Sequence, residues 1–335
     1  MEENSPRVTV FMAAYNASEH IEEAINSILN QTYANFELLI VNDGSTDTTA
    51  KIVAAFTDNR IRTIDNGDNK GLIYTRNRAL LEAKGELLAI MDSDDIASHD
   101  RLALQVAAFD NNPALALYGG QAKVIDEKNN VIGAIHETET NPDLLKIRLL
   151  FHNTFVHSSV MMRTAVFREM GGYQEPFAED YDLFLRISNK YHVANSSSFL
   201  VSYRTHGQNV SSKKGVEIIN RLLPIKGKLL TSMGLPADSD YQKIMTLPYI
   251  WQEVSVEKYK DLYAKILNQN KRITRFNEEL LEEYIFNKWY DVVFQLGKEK
   301  SFGLFLSKPM FSWKYSTFKQ FRKTFKKSLK SIFKK

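Results

Sequence analysis

Asp92, Asp94 and Asp95 fall within four positions, directly after the apolar run at residues 87–91 (LLAIM). Carboxylates that close repel one another, and no basic residue stands beside them in the sequence. A cation relieves such repulsion. Hard oxygen ligands suit Mg2+ or Mn2+, and a metal held by one or two carboxylates completes its shell with phosphates and water. The other reading of this stretch is a solvated loop in which Asp94 or Asp95 caps the next helix.

Two more polar clusters close strand-like segments. Tyr15 and Asn16 follow residues 7–13 (RVTVFMA), and Asn42, Asp43 and Gly44 follow residues 36–41 (FELLIV). Helical patterns lie between them. Residues 18–30 place Ile21, Ala24, Ile25, Ile28 and Leu29 on one face, with Ser18 as the expected N-cap and Glu19, Glu22 and Glu23 near the start. Residues 46–56 and 72–83 predict two more helices, and 60–64 and 86–91 two more strands. Strands separated by ~10–15-residue helices predict an α/β domain with a mostly parallel sheet and helices on both faces. Right-handed crossovers bring the loops after the strands to one edge, where ligands of such sheets bind. The three polar clusters therefore converge.

The alternation loosens after residue 110. Short, antiparallel strands are expected at 115–118, 122–125 and 131–135, a helix at 143–151, a strand at 159–162, a helix at 179–189 and a strand at 199–203. From 216 onward only helices are predicted, at 216–233, 240–270 and 273–295. A DxD after a strand also serves phosphohydrolases of the haloacid-dehalogenase fold as a nucleophile. Their motif sits on the first strand and continues with Thr or Val; here it follows the fourth, and Ile96 stands in that place.

Four stretches occur in order: VTVFMAAYNASEHIEEAINSILNQTYANFELLIVNDGSTDTTAKIV (8–53), GLIYTRNRALLEAKGELLAIMDSDDI (71–96), GGYQEPFAEDYDLFLRI (171–187) and YRTHGQNVS (203–211). Together they resemble glycosyltransferase family 2, the inverting nucleotide-sugar transferases of the GT-A fold. The resemblance spans residues 7–212 and leaves the C-terminal third uncovered. It implies a Rossmann-like GT-A domain at 1–215, which the helical patterns noted above extend by a helical region at 216–335. It implies that Ala14, Tyr15 and Asn16 hold the base and ribose. Asp43 would accept a hydrogen bond from a ring N–H such as that of uracil, since a carboxylate only accepts. Arg76, in TRN where the family often has ARN, matches an arginine on the base or phosphate side. Asp92 would face ribose and metal, Asp94 would bind the metal, and His206 would reach the metal or the diphosphate. The metal would be Mn2+ or Mg2+. Of the Glu179-Asp180 pair, Asp180 would be the base that takes the proton of the acceptor hydroxyl, with Glu179 placing the acceptor. The pair also suits the start of the helix at 179 as caps. His157 precedes a strand expected on the acceptor side. Where the family often has Pro after its aspartates, this chain has Ala97-Ser98-His99-Asp100, a different helix start.

The chain has 335 residues, 44% of them hydrophobic, and no cysteine, which excludes disulfides and thiolate metal sites. Residues 1–215 carry 20 Lys and Arg against 28 Asp and Glu, a net of −8; residues 216–335 carry 23 against 12, a net of +11. The last 35 residues hold 10 basic and no acidic side chains. Within about 308–335, Phe311, Tyr315, Phe318, Phe321, Phe325, Leu329, Ile332 and Phe333 repeat at helical spacing, with Lys319, Lys323, Lys326, Lys327, Lys330 and Lys334 beside them. That pattern predicts a helix lying on an anionic membrane. A packed terminal helix with a solvated basic face is the alternative. The acidic front half and the lack of a nucleic-acid motif argue against nucleic acid. No secretory signal and no spanning segment are expected. The expected protein is therefore a glycosyltransferase using a nucleotide-sugar donor, UDP-linked, and a saccharide or lipid-linked glycan acceptor in surface polysaccharide or lipopolysaccharide assembly. It would work in the cytoplasm, peripherally on the inner membrane. The alternative from another class is a nucleotide-sugar-binding protein without turnover.

Overall fold

The computed structural model of the chain describes residues 5–136, 138–176, 178–206, 215–246 and 254–332. Two compact units are present. The first comprises residues 1–145 and 153–214, the second residues 146–152 and 215–335.

The first unit is built on nine strands: β1 (Val8–Ala14), β2 (Phe36–Asn42), β3 (Ile61–Asp65), β4 (Leu87–Asp92), β5 (Ile96–Ala97), β6 (Leu115–Ile125), β7 (Val131–His136), β8 (Met161–Arg163) and β9 (His192–Arg204). Among the described residues, seven α-helices accompany them: α1 (Ile21–Leu29), α2 (Thr49–Ala54), α3 (Leu72–Glu82), α4 (Arg101–Asn111), α5 (Pro142–Leu149), whose residues from 146 on belong to the second unit, α6 (Thr164–Glu169) and α7 (Glu179–Lys190). The sheet order is β3-β2-β1-β4-β8-β6-β9-β5, with β7 paired to β6. β3, β2, β1 and β4 run parallel, as their helical crossovers require. Beyond α4 that alternation ends and pairings reverse: β8 is antiparallel to both β4 and β6. The sheet is therefore mixed, and parallel throughout only in its first four strands.

β1 lies between β2 and β4, so the strand order switches direction there, the place where open α/β sheets bind ligands. The register sets Ala14 opposite Asn42 and Ala13 opposite Asp92, which levels the polar ends of all three strands. Apolar residues fill both faces. Val8, Val10 and Met12 share one core with Ile21, Ala24, Ile25 and Ile28 of α1, while Phe11, Leu39 and Ile90 are buried on the other face.

Several boundaries differ from the sequence expectation. α1 starts at Ile21 after His20, because the Ser18 amide donates to Asp47 Oδ2 (3.1 Å) in place of Ser18 capping the helix. α2 starts only at Thr49, since Thr46 and Asp47 are engaged with Asn16 and Ser18. β6 is one strand of 11 residues running through Gly119-Gly120. α4 follows the helix start read at Ala97-Ser98-His99-Asp100, beginning after Asp100, while the short β5 had no expectation.

The second unit is helical: α8 (Gly215–Ser232), α9 (Ser239–Thr246), α10 (Val256–Ile273), α11 (Glu278–Leu296), α12 (Ser301–Phe305) and α13 (Phe318–Ile332). The single helix expected at 240–270 is α9 and α10, and residues 247–253 lie outside those described. α10 ends where Thr274 turns left-handed, and α11 begins after Asn277, whose side chain accepts from the Leu280 amide. Tyr259, Tyr263 and Ile266 of α10 and Ile285, Trp289 and Val293 of α11 form its core. The basic terminal stretch is helical from Phe318; Phe333 and Lys334 lie outside the described residues. Among the described residues no helix is long and apolar enough to cross a membrane.

Candidate active site

The loops after β1 and β2 are tied into one rim. The Asp43 amide donates to the Ala14 carbonyl (2.8 Å). Asn16, with φ of 48°, donates its amide to Ser45 Oγ (3.0 Å) and accepts from the Thr46 amide on its side-chain oxygen (2.8 Å). The Asn16 side chain thus shapes the rim, and Tyr15, about half exposed, lies on its surface. Asp43 is buried. It accepts from Asn66 Nδ2 (2.8 Å), the Lys70 amide (2.9 Å) and the Gly71 amide (3.0 Å). Burial pushes its carboxyl up, but these donors and Thr75 outweigh that and hold it below the usual carboxylate range. Much of its accepting capacity therefore organises the loop at 66–71. Gly44 is required beside it: φ is +68°, and a Cβ there would meet the Asp68 carbonyl carbon at 2.6 Å.

At the end of β4, Asp92 has both oxygens engaged. Oδ1 accepts from Arg76 (3.3 Å) and Oδ2 faces His157 Nδ1 (3.3 Å). Burial would raise its carboxyl, but His157 and then Arg76 bring it well below the usual range. His157 Nε2 lies 3.0 Å from Tyr173 Oη. Burial pushes the Tyr173 phenol up, in keeping with a protonated donor. Asp94 behaves oppositely. Burial and then the charge of Asp92 push its carboxyl up, against the contact of its Oδ2 with His206 Nε2 (2.9 Å).

Asp95 does not cap a helix, as one reading of the sequence had it. It is buried and accepts from the Arg204 amide (2.8 Å), and α4 begins later, after Asp100. Arg204, itself buried, donates through Nε to the Asp94 carbonyl (2.7 Å), through Nη1 to Asn129 Oδ1 (2.6 Å) and through Nη2 to Glu23 (2.7 Å).

Glu179 and Asp180 open α7: Ala178 holds the cap position without a side-chain hydrogen bond, and Asp180 Oδ1 accepts from the Tyr181 amide (2.7 Å) in the first turn, as the capping reading had it. Glu179 is buried and ion-paired with Arg76. The same guanidinium therefore joins Glu179 to Asp92, and it is buried rather than an exposed helix residue. Asp180 is half-buried. Its Oδ2 accepts from Asn153 Nδ2 (2.8 Å), and Asn153 Oδ1 accepts from the Phe155 amide (3.0 Å), which fixes the orientation of the Asn153 side chain. Asn153, Tyr173 and Arg204 carried no assigned role in the sequence reading. Tyr173 and Arg204 stand inside the GGY and YRTH stretches, and Asn153 lies four residues before His157.

Asp92, Arg76, His157, Tyr173 and Glu179 form one connected group, and Asp180 follows Glu179 in the first turn of α7. Among the described residues, no three His, Cys, Asp or Glu side chains already form a metal cage. Asp94 and His206 are a two-ligand pair, hard oxygen beside imidazole nitrogen. A divalent cation is the charge that Asp94, half-buried and repelled by Asp92, lacks. The donor set fits a metal completed by phosphate oxygens and water.

The family description Glycosyl transferase family 2 matches residues 9–171. In sequence the chain is similar to UDP-Glc:alpha-D-GlcNAc-diphosphoundecaprenol beta-1,3-glucosyltransferase WfgD of Escherichia coli. The two are 33% identical over 217 residues, 63% of this chain and 82% of that protein. In structure it is similar to S. aureus TarS 1–349 in complex with UDP-GlcNAc, with a TM-score of 0.58 and 19% identity over 98% of this chain and 92% of that one. It is also similar to the mannosyltransferase PcManGT of Pyrobaculum calidifontis in complex with GDP-Man and Mn2+. There the TM-score is 0.55 and the identity 16%, over 99% of this chain and 88% of that one. These structural likenesses give the GT-A fold with helices after it.

Proposed function

We propose the following reaction for this chain, which belongs to glycosyltransferase family 2. It is a glycosyltransferase, and its donor is a UDP-linked sugar held at the rim formed by Ala14, Tyr15, Asn16 and Asp43. Arg76 acts through Asp92, which faces the ribose. The acceptor is a saccharide, carried on a lipid diphosphate, in surface polysaccharide assembly. The acceptor named for the WfgD relative is of that kind. The setting is the cytoplasmic side of the inner membrane.

Asp180 accepts the proton of the acceptor hydroxyl as its oxygen attacks the anomeric carbon from the face opposite the diphosphate. The bond from that carbon to the diphosphate oxygen breaks, and the diphosphate leaves with the electron pair. An α-linked donor thus gives a β-linked product. Asp94 and His206, with Asp92 alongside, would hold Mn2+ or Mg2+, which when bound neutralises charge on the leaving diphosphate. Glu179 positions the first turn of α7 through Arg76, and His157 orients Asp92 on its acceptor side. Asn153 aims Asp180.

The observation that carries this reading is the chain of contacts Asp92–Arg76–Glu179. It fixes the aspartate loop of the donor side to the helix turn that presents Asp180. Asp180→Asn is expected to lower kcat by ~100- to 10,000-fold while leaving the donor KM within a few-fold. Nucleotide release from a panel of UDP-sugars with Mn2+ and lipid-linked saccharides measures it. Near-normal turnover by that variant would remove Asp180 from the role of base. Donor binding by the wild-type protein with no acceptor-dependent release would instead favour a binding protein without turnover.

A further inference from the structure

The terminal helix α13 is turned in an unexpected direction. The residues it buries are small and polar: Thr324 and Ser328 are almost wholly covered. Ser328 Oγ accepts from the Phe302 amide of α12 (2.9 Å). Phe321 joins them on that side, stacked on Trp313 with centroids 5.4 Å apart and edge-on to Phe305 at 5.2 Å. The larger apolar side chains lie beside this face rather than in it, and Phe325 also meets Phe302 of α12 edge-on at 5.3 Å. Phe318 is 83% exposed, Phe325 49% and Leu329 38%, and Trp313, stacked on Phe321, is 74% exposed. At 100° per residue, Phe318, Phe325 and Leu329 lie within roughly 40° of one another and form a continuous ridge. Arg322, Lys326 and Lys319 follow along one flank, then Lys330 and Lys323. All five are exposed, and among the described residues no ion pair involves them.

We propose that this ridge docks on an anionic lipid bilayer while α13 stays seated on α12, so that the helical unit is held at the membrane as a rigid foot. Charge selects the occupant. Two copies of this face would bring together segments that each carry 10 basic and no acidic residues over 301–335, whereas anionic headgroups complement them. An apolar ridge with an aromatic rim and a basic flank is the arrangement that suits the headgroup boundary. The seating matters too. A free amphipathic helix buries its apolar face in the protein until lipid releases it; here Thr324 and Ser328 are buried and Phe318, Phe325 and Leu329 keep exposed surface while the helix is seated. The inference does not rest on the reaction proposed above, because vesicle binding is read without substrate.

The full-length chain is mixed with vesicles of phosphatidylcholine alone or with phosphatidylglycerol, and co-sedimentation is measured. Binding is expected only with phosphatidylglycerol, and to weaken on the order of tenfold in high salt. Replacing Phe318, Phe325 and Leu329 together by Ser is expected to abolish it, and Arg322→Gln with Lys326→Gln to weaken it. The chain has no cysteine, so Phe302→Cys with Ser328→Cys forms a single lock between α12 and α13 on oxidation. The oxidised and reduced forms of that variant are expected to bind equally. Binding lost on oxidation would overturn the seated helix. No binding to phosphatidylglycerol vesicles, triple-Ser binding equal to wild type, or a solution dimer that the triple-Ser variant dissolves would overturn the bilayer as occupant.

Discussion

Arg76 answers two carboxylates with one guanidinium, buried Glu179 and the half-buried Asp92. Removing one partner of a buried pair leaves the others uncompensated, which costs about 3–5 kcal/mol. Arg76→Ala is therefore expected to lower stability in chemical denaturation by about that amount, and transfer with it. Arg76→Lys restores the charge but not the fork that reaches Asp92 and Glu179 together, so it recovers stability only in part. Asp94 is the complementary case, an acid with too little positive charge beside it. Chelation by EDTA is expected to abolish transfer, with Mn2+ restoring it. Asp94→Asn is expected to remain inactive with Mn2+ added back, in a nucleotide-release assay. The neighbours in sequence told most at this scale: Asp94 with Asp92, and Glu179 with Asp180, were legible because their residue types state a chemistry. Asn153 and Tyr173 were not, because each matters only through a contact with another element. A neutral amide four residues before a histidine gives no sign that it faces Asp180.

At the scale of elements, the alternation of apolar strands and helices up to residue 92 carried the fold, since a buried parallel strand needs a near-continuous apolar run. The pattern failed at β6, where Gly119-Gly120 reads as a turn but lies inside a strand. The reason is lateral space: a Cβ at Gly120 would stand 2.5 Å from both Leu200 Cγ and Cδ1 of β9. Gly120→Ala is expected to lower stability by about 1–3 kcal/mol, read from the denaturant midpoint. The start of α2 shows how a single acid sets a boundary. Asp47 accepts from the Ser18 and Thr49 amides (3.1 and 2.9 Å). Burial pushes its carboxyl up, but the hydrogen bonds from Thr49 and Ser18 together outweigh that and pull it from 3.8 down to about 2. A depressed folded value means that its contribution is complete above the unfolded value of 3.8 and is lost as pH falls through about 2. The Tm difference between wild type and Asp47→Asn is expected to be largest near neutrality and to shrink between pH 4 and 2.

For the whole molecule, the composition shift near residue 215 was visible from charge alone, an acidic front and a basic back. The membership of residues 146–152 in the second unit was not, because seven residues are too few to carry a period of their own, and Lys146 and Arg148 stand amid the acidic front half. Ile147, Leu149, Leu150 and Phe151 are all buried, Phe151 meets the rings of Tyr263 and Tyr284, and the Leu150 carbonyl accepts from buried Lys226 (2.8 Å). A chain cut after residue 214 would expose such side chains at about 1.5–3 kcal/mol each, which together rivals the ~5–15 kcal/mol that holds a typical fold. The truncated chain is expected to be insoluble or to lack a cooperative thermal transition, despite retaining every residue assigned to the reaction.

The Arg204 guanidinium carries one further implication. It fastens the Asp94 carbonyl, its own amide holds Asp95, and His206 lies two positions further along the same stretch of chain. The two members of the Asp94–His206 pair thus share one anchor, and their positional errors are correlated. Breathing of β9 that would pull independently mounted groups apart instead carries both in step. The gap between them is thereby better conserved in time than the place of either one.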